Sequence, residues 1–304
     1  MKIIRHLNRV HASCGSVVTL GNFDGIHRGH RRILARVVKR ARALGVRSVV
    51  VTFDPHTQRV VGAGRGFKCL SLPGEKVRLF RKLGVDMVVF LKFGSALRRL
   101  VAAEFFEKVI VRALRPSEIV FGYDHRFGKG RGGDYTLLNT RCRELGIRIR
   151  RVSPCRYRGV IVSSTRIREW LARGDVMRAK GFLGGPYLIC GRVVRGDRIG
   201  RTLGFPTVNL KTPPEKLLMP DGVYAGYALL GNRRVRALVS IGKRPTFNGR
   251  HRLLEAHLPG FHGSLYGKEV CLEIEEFVRP QRKFRTPGAL AVQIRKDIQH
   301  VIKN

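Results

Sequence analysis

The sequence predicts an α/β protein with a mostly parallel sheet in its first part, followed by a small antiparallel β-barrel that ends in a helix. Two observations carry this. Over the first part, β-branched runs such as VVTL (17–20) and SVVVTFD (48–54) alternate with amphipathic stretches, the pattern of a parallel sheet flanked by helices. Beyond Gly181, Gly184, Gly185 and Pro186 the texture changes to short β-rich runs (YLICGRVV, VYAGYALL, VRALVSI, VCLEIEEFV) between Gly and Pro, which suits a small barrel. The 304 residues allow two domains with their own cores, divided here into 1–182 and 183–304.

Val17 to Leu20 reads as a buried strand. Gly21 and Gly25 break it, and a helix begins near Gly29. Ile33, Leu34, Val37, Val38, Ala41 and Leu44 form the apolar stripe of that helix, and Gly45 ends it. The next strand, Ser48 to Asp54, closes on Asp54-Pro55-His56, at the strand end where open α/β sheets bind ligands. A helix over 74–83, a strand over 86–90, a helix over 101–113 with Phe105, Phe106, Val109 and Ile110 as core, and a strand over 118–121 follow. Residues 161–175 read as a helix whose start is capped by Ser163, Ser164 or Thr165. The tail, 287–302, returns to helical spacing with Leu290, Val292, Ile294, Ile298 and Val301.

Composition narrows the function classes. The net charge of +39 invites a nucleic-acid reading. The basic residues are spread along the chain, however, without a zinc finger or RNP-type motif, and Arg31, Arg32, Arg36, Lys39 and Arg40 read as a solvated helix face. Polyanionic substrates gain from the same field. No apolar run approaches the roughly 20 residues of a membrane span, and the N-terminus lacks the apolar core of a secretory signal. The six cysteines (Cys14, Cys69, Cys142, Cys155, Cys190, Cys271) include no CxxC pair, which favours a reduced, cytoplasmic chain over a disulfide framework or zinc site.

Three stretches carry chemistry. In HRGH, His27 and His30 share a helix face at a helix start, where backbone N–H groups and the dipole favour phosphate. A tight turn with two solvated histidines has the same spacing. Ser163-Ser164-Thr165-Arg166 is either an ordinary capped helix or a second anion site, with hydroxyls and guanidinium at a helix start. In GDRIGRTLGFPTVNL (196–210), glycines allow close backbone approach to phosphates. Thr207 and Asn209 alternate with Val208 and point to one side of a strand, offering hard oxygen ligands for Mg²⁺. Gly128, Gly130 and Gly133 spell GxGxxG, but the following strand, IRIRRV, supplies arginine where a dinucleotide site needs an acid. A flexible loop closing over a ligand is the better reading. No Walker A pattern is present.

The string GNFDGIHRGH, between strand and helix, resembles the signature of the Rossmann-like HxGH nucleotidyltransferases. In particular it resembles the adenylyltransferase half of the bacterial bifunctional riboflavin kinase/FAD synthetases. IVSSTRIR, GYDHRFG, GRTLGFPTVN, DGVYAGY, IGKRPTF and LEAHL with LYG resemble further segments of that family, in order. The resemblance implies that riboflavin is phosphorylated to FMN by ATP, and that FMN is then adenylylated to FAD with release of pyrophosphate. It implies His27 and His30 as the transferase centre, ATP contacts from Gly21, Phe23, Asp24, Gly25, Ser163, Ser164, Thr165, Arg166 and Arg168, and flavin contacts from Asp54 and Asp124. In the barrel it implies Gly196, Gly204, Phe205, Pro206, Thr207 and Asn209 around ATP, Mg²⁺ on Thr207 and Asn209, and Glu255 as general base. The chain departs from the family pattern at Thr57 (usually Pro, a change expected to loosen the turn), His125 (usually Phe), Ile199 (commonly Arg), Gly260 (an acid region) and Gln281 (usually Glu). Two other readings are an HxGH transferase for a different phosphate with a binding-only barrel, and a basic nucleic-acid-binding protein.

Overall fold

The computed structural model describes residues 1–6, 15–61, 66–197, 199–243 and 252–303. Cys14 and most of the IGKRPTF stretch lie outside them. The chain divides into two compact units, Met1–Ser163 and Ser164–Asn304.

The first unit contains β1 (Lys2–Ile4), β2 (Ser16–Leu20), α1 (Arg28–Ala43), β3 (Arg47–Asp54), α2 (Thr57–Val61), α3 (Pro73–Lys82), β4 (Met87–Lys92) and α4 (Ser95–Arg99). The expected helix over 101–113 is α5 (Ala102–Phe105) and α6 (Arg112–Leu114) flanking a π-helical turn, Phe106–Val111. Then come β5 (Pro116–Gly122), α7 (Tyr135–Glu144), β6 (Arg148–Val152) and a small hairpin, β7 (Arg156–Tyr157) with β8 (Val160–Ile161). The six-stranded sheet has the order β1-β4-β3-β2-β5-β6, parallel throughout. The chain runs outward from β2 through β3 and β4, then returns to β2's other side with β5, so a topological switch point lies between β2 and β5. Ligands bind outside the carboxyl ends of strands at such a point.

All five residues of β2 are buried, as expected of a central parallel strand covered on both faces. Val18, Leu20, Val49, Val51 and Val89 meet Phe105, Phe106 and Ile110 on one face. Val50 and Val88 meet Leu34, Val38 and Phe80 on the other. The basic face of α1 is less uniformly solvated than its composition predicts. Arg32, Arg36 and Lys39 are exposed, but Arg40 reaches the buried Glu118 at 2.8 Å and Arg31 donates to the Ile26 carbonyl at 3.1 Å.

The second unit contains α8 (Ser164–Ala172), α9 (Val176–Leu183), β9 (Tyr187–Val194), α10 (Ile199–Thr202), β10 (Thr207–Lys211), β11 (Gly222–Leu230), β12 (Arg233–Gly242), β13 (Leu253–His257), β14 (Glu269–Pro280) and α11 (Pro287–Lys303). Six strands close an antiparallel barrel in the order β10-β13-β12-β11-β14-β9. On α11, Val301 is buried, with Ile294 and Ile298 packed against Val223, Ala225 and Leu238, whereas Val292 faces solvent. By packing, α8 and α9 group with the barrel strands. Lys180 on α9 pairs with Glu275 on β14 at 2.9 Å, and Phe182 lies 4.1 Å from Trp170.

One expectation is overturned in the barrel. Cys190 on β9 and Cys271 on β14 are register partners 4.0 Å apart at Cα and are joined as a disulfide. They lie 81 residues apart in sequence, and only closure of the barrel sets them opposite one another. Cys142 and Cys155 are free thiols among the described residues.

Candidate active sites

The turn after β2 builds the first site. Phe23 and Ile26 adopt left-handed backbone angles (φ 47° and 41°) that non-glycine residues rarely take. The strained turn places His27 at the N-cap of α1, where its Nδ1 accepts the His30 N–H at 3.3 Å. That bond leaves Nε2 as the proton-bearing nitrogen of the neutral His27 ring. The two imidazoles stack, centroids 3.7 Å apart and 13° from parallel, and the Phe23 ring meets His30 edge-on at 5.2 Å. A side chain at Gly29 would sit 3.2 Å from the His27 ring, so the small residue between the histidines makes room for it. His30 Nδ1 is sealed from solvent with no hydrogen-bond partner among the described residues. Burial, then the neighbouring His27 and Lys76, push the His30 imidazole well below its usual pKa, so it is neutral at pH 7.

The other expected residues divide by role. Gly21 opens the turn with its N–H on Val51 O at 3.1 Å. Asp24 is buried and accepts from the Ser71 N–H at 2.9 Å, while Gly25 N–H donates to Ser71 Oγ at 3.2 Å; both brace the turn. Asp54 stands at the carboxyl end of β3, 3.3 Å from Arg5. Asp124 is exposed on the turn after β5. His125 lies 5.9 Å from Phe121 and 6.0 Å from Phe127, beside a small apolar cavity shared with Leu20, Phe106 and Ile110. The glycine loop, expected to be a flexible loop that closes over a ligand, is pinned at its two ends. Phe127 and Gly133 bond each other in both directions, and a side chain at Gly128 or Gly133 would strike Ala102. Its helix, α7, starts later, capped by Asp134. Gly128 and Gly133 thus serve packing, whereas Gly130 supplies a left-handed backbone angle (φ 64°). Ser164, Thr165, Arg166 and Arg168 lie in α8, with Thr165 and Arg166 exposed and Ile167 buried, so they belong to the second compact unit, whereas Ser163 closes the first.

In the barrel, register sets Asn209 opposite Glu255, and Thr207 Oγ donates to Glu255 Oε1 at 3.2 Å. Leu254 and Ala256 point into the core, which turns Glu255 the other way, as the alternation predicts. A Cβ on Gly196 would lie 2.4 Å from the Asn209 amide, and one on Gly200 would lie 2.4 Å from Phe205 O. These glycines bring the flap's backbone onto the Thr207–Asn209 edge. Gly204 adopts φ 85°, Phe205 meets His257 edge-on, and Pro206 O bonds His257 Nδ1 at 2.8 Å. A cleft of about 170 Å³ opens beside Thr207 and Glu255, walled by Lys243, Arg279, Phe284 and Leu290. Arg279 is fixed there by paired bonds to the buried Asp297 of α11.

The FAD synthetase family matches residues 10–166, and the riboflavin kinase family matches residues 183–304. Curated relatives termed bifunctional riboflavin kinase/FMN adenylyltransferase include those of Escherichia coli K12 (35% identical, covering 98% of this chain and 96% of the relative) and Haemophilus influenzae (34%, covering 98% and 97%). The chain belongs to the bifunctional riboflavin kinase/FMN adenylyltransferase family. It also superposes on a crystal structure titled macrolide-efflux protein from Streptococcus pneumoniae, with TM-score 0.84, 30% identity and coverage of 98% and 97%. No helix among the described residues is long and apolar enough to cross a membrane.

Set against the family pattern, the departures acquire structural settings. Thr57 does not loosen its turn. It receives a hydrogen bond from Asn22 Nδ2 at 2.8 Å and offers its own N–H to Asn22 Oδ1, which a proline could not do. Ile199 lines the cleft at the start of α10. Gln281 also lines it and donates to Ser240 Oγ at 3.4 Å. Gly260 takes φ 70° in a turn outside the barrel strands. Sequence reasoning missed Asn22, Ser71, Lys76, Lys243, Arg279 and Asp297. Of these, Lys76 had a signal, because it falls one turn before the buried Phe80 on the inward face of α3.

Proposed function

We propose that the chain makes FMN and then FAD, each at its own ATP-dependent site. The observation that carries this is the coexistence of two polar groupings in one chain: the stacked His27–His30 pair at the N-terminus of α1, and the Thr207–Asn209–Glu255 group on the barrel.

In the barrel, riboflavin occupies the cleft with its 5′-hydroxyl toward Glu255. Glu255 takes the hydroxyl proton as the oxygen attacks the γ-phosphorus of ATP, and ADP leaves. The flap at Gly196, Gly204, Phe205 and Pro206 holds the nucleotide. Thr207 and Asn209 offer neutral oxygens beside one carboxylate, and no cluster of three His, Cys, Asp or Glu exists among the described residues. Such a sparse oxygen set fits Mg²⁺, which keeps waters and substrate phosphates as its other ligands. Bound there, the cation would neutralise charge on the transferring phosphoryl group.

In the parallel-sheet unit, an FMN phosphate oxygen attacks the α-phosphorus of ATP and the bond to pyrophosphate breaks. His27 donates from Nε2 to a phosphoryl oxygen. His30, neutral, donates a second bond without adding a buried charge. The N–H groups at the start of α1 add the helix dipole. Gly21, Phe23, Asp24 and Gly25 shape the nucleotide's seat; Ser163, Ser164, Thr165, Arg166 and Arg168 are the residues that the family resemblance assigns to the ATP phosphates. Asp54 and Asp124 contact the flavin. We assign residues 1–182 to adenylyl transfer and 183–304 to the kinase.

Paired variants test the assignment. His30→Ala lowers FAD formation from FMN by about 10²-fold, the scale of losing one donor to a developing oxyanion, and leaves FMN formation intact. Glu255→Gln does the reverse, by about 10²-fold or more. Loss of both activities in either variant, or of neither, overturns the division of labour.

A further inference from the structure

Lys76 is buried, 2% exposed, on the inward face of α3. Its ammonium donates to the Asn22 carbonyl at 2.7 Å, an oxygen that also accepts from Thr52 Oγ at 3.1 Å. Asn22 is the residue between Gly21 and the strained Phe23. One turn further along α3, Phe80 packs edge-on against Phe23 at 5.8 Å, and Phe23 packs against His30. The same helix therefore grips the turn twice, by the Lys76 ammonium on the Asn22 carbonyl and by the Phe80 ring on Phe23. Thr57 holds the Asn22 side chain from the opposite direction.

We propose that Lys76 is the positioning residue of the adenylyl-transfer site: it clamps the turn that carries Phe23 and the histidine pair, and it sets a fixed positive charge behind them. This rests on the reading of His27 and His30 as the transferase centre. The charge has a defined surrounding. Burial holds the Lys76 ammonium's pKa below its usual value, and Asp24, Cys69, Asp54 and Glu75 offset that in part. Facing His30 are His27 from the N-cap of α1 and Lys76 from α3, both opposing its protonation. A cation in this place serves adenylyl transfer in two ways. It adds to the burial that already disfavours the imidazolium, and it adds long-range attraction for the polyphosphate without spending a solvent-facing side chain.

The test uses the full-length chain, Lys76→Met and Lys76→Arg, with His30→Gln as reference. Three readouts are taken: FAD formation from FMN across pH, FMN formation from riboflavin in the same preparations, and the His30 imidazole titration followed by NMR. In Lys76→Met, kcat for FAD formation falls by about 10²-fold, as a misplaced catalytic group implies. The His30 titration and the acid limb of the rate profile both move to higher pH, and FMN formation is unchanged. Lys76→Arg keeps the charge and leaves the His30 titration near that of the parent. If Lys76→Met only lowers the rate uniformly, with the titration and profile in place, Lys76 is structural and the proposal fails. If His30→Gln retains FAD formation, the site reading fails instead, independently of the Lys76 result. Should Lys76→Met not fold, Lys76→Arg with a displaced His30 titration overturns the electrostatic role.

Discussion

At the scale of single residues, each site depends on a glycine that yields space to a polar side chain. A methyl group on Gly29 would stand 3.2 Å from the His27 ring, and one on Gly196 would stand 2.4 Å from the Asn209 amide. Gly29→Ala therefore displaces His27 from its N-cap and lowers FAD formation, with FMN formation unaffected. Gly196→Ala pushes the flap off Asn209 and raises the KM for ATP in the kinase step alone. Steady-state kinetics of the two steps, measured separately, check both outcomes. The residues that the sequence exposed best were those with chemistry in their type and spacing, namely His27, His30, Thr207, Asn209 and Glu255. Asp24 shows what spacing leaves out. Its Oδ1 accepts from the Ser71 N–H, a partner 47 positions away that no local pattern reveals.

At the scale of elements, hydrophobic period located β2, β3, α1 and the barrel strands, because each is either buried on both faces or alternates cleanly. It could not find the π turn in 106–111, since the side-chain stripe of an α-helix with one extra residue per turn is nearly the same. Nor could it find the Cys190–Cys271 pair, which depends on β9 and β14 being neighbours in a closed barrel. The docking of α11 was visible as a stripe, but its polar anchor was not. Asp297 is 3% exposed and receives Arg279 and Gln293 together. Asp297→Ala leaves the Arg279 charge unpartnered and costs about 3–5 kcal/mol, to be read from urea unfolding of the intact chain. The His30 imidazole supplies a pH test. Its pKa is held down in the folded state, so the unfolded chain binds more protons as pH falls through the ordinary histidine range. Stability thus declines on acidification from the unfolded His pKa of about 6.5 toward the depressed folded value. His30→Phe flattens that slope, as thermal unfolding at stepped pH will record.

At the scale of the whole molecule, the +39 charge surrounds chemistry conducted on polyanions. A positive field of this kind concentrates ATP and FMN, and salt weakens it. The two-unit organisation was legible because the composition changes near residue 184, while the packing boundary at Ser163/Ser164 was not, because α8 and α9 carry helical signals that do not say which core they join. The central claim is that one chain holds two working sites. The most direct measurement incubates the purified protein with ATP and Mg²⁺, starting from riboflavin or from FMN in parallel, and separates riboflavin, FMN and FAD over time. FAD from both starting points, with FMN appearing first when riboflavin is supplied, is the predicted result. FAD from FMN alone, or FMN that never proceeds to FAD, would contradict it and name the unit at fault.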